Sequence, residues 1–154
     1  MGQAYLYNGG VETLESYGLS IIETPEVICD QMPKEHLSFY LNLESYVLTG
    51  PWVFAHAGLN PLRALEAQLD QDLFWIRDEF ISNLHGFDKT IVFGHTPHQD
   101  IYFHWPYKMG IDTGLCFGNM LTCVELINRE IFQIPANTKK IKVSKFPSVG
   151  TGKK

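Results

Sequence analysis

Two short apolar runs, each ending at a histidine, constrain this chain more than any other feature. Trp52-Val53-Phe54-Ala55 leads into His56-Ala57-Gly58, and Thr90-Ile91-Val92-Phe93-Gly94 leads into His95-Thr96-Pro97. An apolar run this short, bounded by turn-forming residues, reads as a strand covered on both faces. Such strands belong to α/β sheets, and ligand-binding groups emerge at their ends. Gly or Ala beside each histidine lets the backbone approach a bound ion or anion closely. Imidazole is a common ligand for Mn, Fe and Zn. A single histidine after a strand is more often a hydrogen-bonded loop residue. Two such units in one chain bring the metal reading level with that alternative, although the pair does not share a helix as an H-E-x-x-H pair does.

The flanking segments place these runs in a mixed sheet. Residues 11–17 predict a short helix stopped by Gly18. Thr24-Pro25-Glu26 is a helix start with an N-cap Thr, and Pro33 opens another helix with an apolar stripe of Leu37, Tyr40, Leu41 and Leu43. A turn at Thr49-Gly50-Pro51 separates a strand at Tyr46-Val47-Leu48 from the first histidine-bearing strand. Leu69, Leu73, Ile76, Phe80 and Leu84 recur every three or four residues and predict one amphipathic helix ending near His85-Gly86. Lys108-Met109-Gly110-Ile111 and residues 120–127 and 130–134 read as strands, with Asn128-Arg129 as a tight hairpin turn. This order predicts an α/β fold with a mixed sheet. Trp52, Phe54, Trp75 and Phe93 are assigned to its core.

Charge and composition narrow the function classes. The chain of 154 residues fits one domain. Its net charge of −5 is uneven: the last 18 residues carry six lysines and no acid, and the rest is acidic. An acidic body argues against nucleic-acid binding by the folded part, and the lysine tail reads as a solvated terminus. No apolar run approaches the roughly 18 residues a membrane span needs. The first residues carry no basic, apolar secretory signal, so a cytoplasmic location is expected. Cys29, Cys116 and Cys123 form no C-x-x-C pair, which leaves free thiols rather than a disulfide framework or a zinc site.

His56-Ala57-Gly58-Leu59 and Gly94-His95-Thr96-Pro97 resemble the last two metal-binding motifs of the calcineurin-like metallophosphoesterases, and within them the bacterial serine/threonine protein phosphatases of the phosphoprotein phosphatase family. Trp75-Ile76-Arg77 resembles the family's W-x-R segment. Ile111-Asp112-Thr113-Gly114 with Leu121-Thr122-Cys123-Val124-Glu125-Leu126 resembles its closing strands, and Tyr7-Asn8-Gly9-Gly10 with Thr13-Leu14 the stretch after its third motif. The resemblance implies an α-β-β-α sandwich with mixed sheets, of which residues 1–136 would be the C-terminal portion and residues 137–154 a basic, flexible tail. It implies divalent metal ions, manganese first, with iron or zinc as alternatives, that ready a water for in-line attack on phosphorus. His56 and His95 would ligate one ion, and Arg77 would hold the substrate phosphate with its forked guanidinium. The alternative for Arg77 is a surface arginine paired with Asp78 on its own helix. Asp112 would either orient a ligand histidine or hydrogen-bond the turn at Thr113-Gly114.

The family's first three motifs, G-D-x-H-G, G-D-x-x-D-R-G and G-N-H-[DE], do not occur in this chain. In the family they supply the first metal's ligands, a further arginine and the proton donor, so no catalytic residue is assigned here. Two imidazoles fall short of a set of four to six ligands, and weak metal binding with little activity is expected. His98 is set aside because Pro97 turns the chain after His95. His36, His85 and His104 are read as surface or loop residues. The expected substrate is a phosphoprotein or another phosphate ester. The alternatives are a dinucleoside polyphosphate hydrolase of the same fold and a non-catalytic phosphate-binding scaffold. An uncovered sheet edge would also favour self-association.

Overall fold

Residues 2–146 are described by a computed structural model, in which the chain divides into two units, Met1–Glu44 and Ser45–Lys154. The first unit is helical. Helix α1 (Gln3–Tyr5) runs through a widened turn at Leu6–Gly10 into α2 (Val11–Ser16). Gly18, at φ +71°, ends α2 by returning the Leu19 N–H to the Leu14 carbonyl at 2.9 Å. Thr24 caps α3 (Pro25–Gln31) by accepting the Val27 N–H at 3.4 Å, and Pro25 occupies the first helical position. Helix α4 (Lys34–Leu41) forms after Pro33, yet it buries none of its residues. The apolar stripe expected to seat it is solvent-facing at Tyr40, Leu41 and Leu43. The end of α2 is joined to α4 by a 2.8 Å hydrogen bond between the Tyr17 hydroxyl and His36 Nδ1.

The second unit begins with the hairpin of β1 (Tyr46–Thr49) and β2 (Trp52–Ala55), turned at Gly50 with φ +52°. Helices α5 (Asp70–Trp75) and α6 (Asp78–Ile81) follow, then β3 (Thr90–Phe93), β4 (Tyr102–His104) and β5 (Lys108–Gly110). These strands form a five-stranded sheet in the order β1-β2-β3-β5-β4, parallel at β2–β3 and β3–β5 and antiparallel at both ends. A second, antiparallel sheet contains β6 (Met120–Glu125), β7 (Glu130–Pro135) and β8 (Lys142–Lys145).

Period-two alternation divides the core. Val53, Ala55, Ile91 and Phe93 face one side, where Leu73, Ile76 and Phe80 of the helical segment cover them. Val92 and Met109 face the other, against Ile131 of β7 and Phe146, with Trp52 and Phe54 packed alongside. The central sheet therefore lies between a helical layer and the second sheet, and β3 is buried at every position. No helix among the described residues is long and apolar enough to cross a membrane.

Several expectations need correction. The predicted single helix over residues 69–84 is two helices, because Ile76 and Arg77 leave helical geometry (ψ 145° at Ile76; φ −134°, ψ −105° at Arg77). The hairpin turn is four residues wide, its backbone N–H groups at Ile127 and Asn128 bound by the Glu125 carboxylate. The expected tail contributes β8, paired to β7 with Lys145 opposite Glu130, and Phe146 is only 4% exposed. Residues 147–154 lie outside the described residues. His85 lies in the loop between α6 and β3, as one of its two readings had it, but is buried there, stacked on Phe80 and bonded through Nε2 to the Tyr107 carbonyl at 3.1 Å. Trp75 is not core: it is 47% exposed.

Candidate metal and phosphate site

Parallel pairing of β2 with β3 sets Phe54 opposite Val92. Two residues further on, the same ladder places His56 beside Gly94, and the Gly94 N–H donates to the His56 carbonyl at 2.8 Å. The two histidine-bearing turns are thus fastened by backbone before any side chain is considered. His95 leaves the ladder at φ +64°, a left-handed conformation that is costly for a residue with a Cβ. That turn brings His95 Nδ1 to 3.2 Å from His56 Nε2, with ring centroids 5.0 Å apart.

Arg77 reaches the same place because the helix before it is interrupted. In a continuous helix the Leu73 carbonyl would accept the N–H of residue 77. Here it accepts the Ala57 N–H at 2.8 Å instead, tying the residue after His56 to the end of α5. The chain then kinks, and α6 restarts with the Arg77 carbonyl accepting from Phe80 and Ile81. Arg77 Nη1 lies 3.5 Å from the Thr96 hydroxyl, next to His95. Neither Asp78 nor Glu79 pairs with it, and among the described residues Arg77 has no ion-pair partner. The surface ion pair weighed as its alternative is therefore not formed. Trp75 stands edge-on to His95, with centroids 5.7 Å apart and planes at 87°.

Burial pushes the His95 pKa down, the Arg77 and His56 charges push it further, and Asp112 partly opposes them. A neutral imidazole keeps a lone pair for a cation. Asp112 itself accepts the Gly114 N–H at 2.9 Å, so the turn is what it binds directly, while its charge acts on His95 from a distance. Gly58 holds φ +138°, and a Cβ there would lie 2.3 Å from Phe80 Cδ1, so the turn after His56 requires glycine. Lys108, fully buried, donates to the carbonyls of Phe80, Ile81 and Asn83 and so caps the last turn of α6. Sequence reasoning missed Lys108 and Thr96. A lysine inside an otherwise apolar strand was the available signal for the first, and Thr96 had none beyond its place after His95.

No family model matches the chain, and no curated protein matches it. Among solved structures, it is similar to "Crystal structure of a putative diadenosine tetraphosphatase", with 17% identity and a TM-score of 0.62 over 84% of this chain. The chain spans 66% of the length of that structure. The mixed α/β architecture, with its parallel and antiparallel strand pairs, is shared with that structure. At this identity the likeness establishes architecture alone, and the chemistry must be read from the residues.

The fit of a divalent ion can be tested on the imidazole pair. Two nitrogens bound to one ion at about 2.1 Å stand roughly 3.0–3.4 Å apart for bond angles from octahedral to tetrahedral. The observed separation of 3.2 Å falls in that range, which also serves a hydrogen bond between neutral rings. His95 Nε2 is buried without a hydrogen-bond partner, so a proton left there by ligation through Nδ1 has no acceptor among the described residues. No group of three or more His, Cys, Asp or Glu side chains among the described residues is arranged to hold a metal. The pair fits two adjacent corners of a coordination sphere and does not fill it.

Proposed function

We propose that this chain carries the histidine and arginine part of a metal-dependent phosphoesterase that cleaves phosphate esters with water. The observation that carries the reading is the 3.2 Å approach of His56 Nε2 to His95 Nδ1 at the ends of two parallel strands, with Arg77, which has no ion-pair partner among the described residues, reaching the adjoining Thr96. A divalent ion bound there would polarise a phosphoryl oxygen and lower the pKa of water. Manganese is the ion the motif resemblance favours, and iron and zinc suit the same imidazoles. His56 and His95 would present the lone pairs, and burial favours the neutral form of His95. Arg77 would bind two phosphate oxygens through its fork and neutralise charge that grows as the P–O bond breaks.

Two substrate classes suit this grip. Phosphoserine or phosphothreonine in a protein is the class that the overall motif resemblance favours, although His56-Ala57-Gly58 does not by itself separate it from the second class. A dinucleoside polyphosphate is favoured by the name of the structural neighbour. Manganese binding followed by calorimetry tests the shared reading directly. Weak binding by the native chain, abolished in His56→Ala and in His95→Ala, is expected, with slow manganese-dependent turnover of p-nitrophenyl phosphate. Metal binding of equal strength in all three proteins would refute it.

A further inference from the structure

Trp75 is a large apolar side chain left 47% exposed at the end of α5, edge-on to His95 and two residues before Arg77. Together with Gln71, Arg77, Asp78 and Glu79 it lines a cavity of about 280 Å³. That volume is near the lower end of small-ligand pockets, about 300 Å³, and suits one compact, flat group. Its chemistry is divided. Arg77 has no ion-pair partner among the described residues and reaches from the cavity to the Thr96 hydroxyl beside His95, whereas Asp78 and Glu79, both exposed, supply acceptors with no paired cation among those residues. Phosphates would be repelled from the carboxylates, but hydroxyl and amino donors would be welcomed there.

We infer that this cavity binds the nucleoside of a nucleoside phosphate, with its base against Trp75, its ribose hydroxyls or exocyclic amine at Asp78 and Glu79, and its phosphate on Arg77. The inference rests on the phosphate grip proposed above and makes Trp75 the specificity-determining residue of that site. A phosphoserine peptide offers no flat ring adjoining its phosphate, so Trp75 would add nothing to its binding. Stacking on an aromatic side chain strengthens binding of a base roughly tenfold or more.

Calorimetric titration of the purified chain with AMP, adenosine, inorganic phosphate and a phosphoserine peptide, each with manganese present, provides the test. AMP is expected to bind roughly tenfold tighter than phosphate or the peptide. Trp75→Leu should remove that advantage and leave phosphate affinity unchanged, while Trp75→Phe should keep most of it and show that the fold tolerates change there. Adenosine should compete with AMP and should still bind Arg77→Ala. AMP no tighter than phosphate, or a preference for AMP that survives Trp75→Leu, overturns the inference, and a peptide as tight as AMP does so in favour of protein substrates. Adenosine bound through Trp75 by a chain that binds neither phosphate nor manganese would uphold the nucleoside cavity and refute the phosphoesterase reading instead.

Discussion

His95 combines a strained backbone with a ring that must meet His56. The left-handed conformation costs about 1–2 kcal/mol for a residue bearing a Cβ, and glycine adopts it without that penalty. His95→Gly is therefore expected to match or exceed the native stability, by up to about 1 kcal/mol, while losing manganese binding. His95→Ala should lose metal binding and keep the strain. Urea denaturation beside metal titration would separate the two, and a glycine variant less stable than the alanine variant would contradict a strained turn. His85 carries a different signal. Its Nε2 is engaged by the Tyr107 carbonyl, and Nδ1 is buried without a partner, so protonation would put a charge and an unmet donor beside Phe80 and Phe87. Burial lowers its pKa from 6.5. The unfolded chain then binds more protons than the folded one below pH 6.5, and stability must fall as pH drops through that point toward the folded-state value. The melting temperature should decline from pH 7 to pH 5, and His85→Phe should flatten the decline; an unchanged slope would remove His85 as its source.

Element by element, the strands at the site were legible and the helices around it were only partly so. Trp52-Val53-Phe54-Ala55 and Thr90-Ile91-Val92-Phe93 announce themselves because a strand buried on both faces has no polar alternation to blur it. The break at Ile76–Arg77 was hidden because the spacing of Leu73, Ile76 and Phe80 reports side chains, whereas the break involves a carbonyl bonded to Ala57. Trp75 was read as core on its aromatic character alone, although at 100° per residue it lies off the stripe of Leu69, Leu73, Ile76, Phe80 and Leu84. β8 was masked by its lysines, which suggest a solvated tail until β7 offers pairing. The close fit of the Gly58 turn against Phe80 couples the first histidine to α6 and gives a sharp expectation. Gly58→Ala adds both a clash and an unfavourable φ, and should destabilise the chain by about 3 kcal/mol. Because Phe80 belongs to the short helix that starts at the Arg77 carbonyl, phosphate affinity should fall with it. A variant with native melting temperature and native phosphate affinity would show that Phe80 moves aside freely.

At the scale of the whole molecule, the sheet edges are guarded unequally. β8 ends the second sheet with Lys142 and Lys145, all four of its residues exposed, and charged edge strands resist pairing with other chains. β1 ends the five-stranded sheet with Tyr46-Val47-Leu48-Thr49, which carries no charge, and Val47 and Leu48 are each about half exposed. Its backbone groups turned away from β2 meet no other strand among the described residues. A second copy of β1 is the simplest partner, since an antiparallel pair of identical strands satisfies both edges at once. Sedimentation velocity is expected to show association that rises with concentration, and Leu48→Lys should shift the chain toward monomer without loss of manganese binding, because residue 48 lies at the opposite end of the hairpin register from Ala55 and the His56 turn. A monomer of unchanged sedimentation coefficient across the concentration range, with a single cooperative melt, would show that the β1 edge is protected in solution.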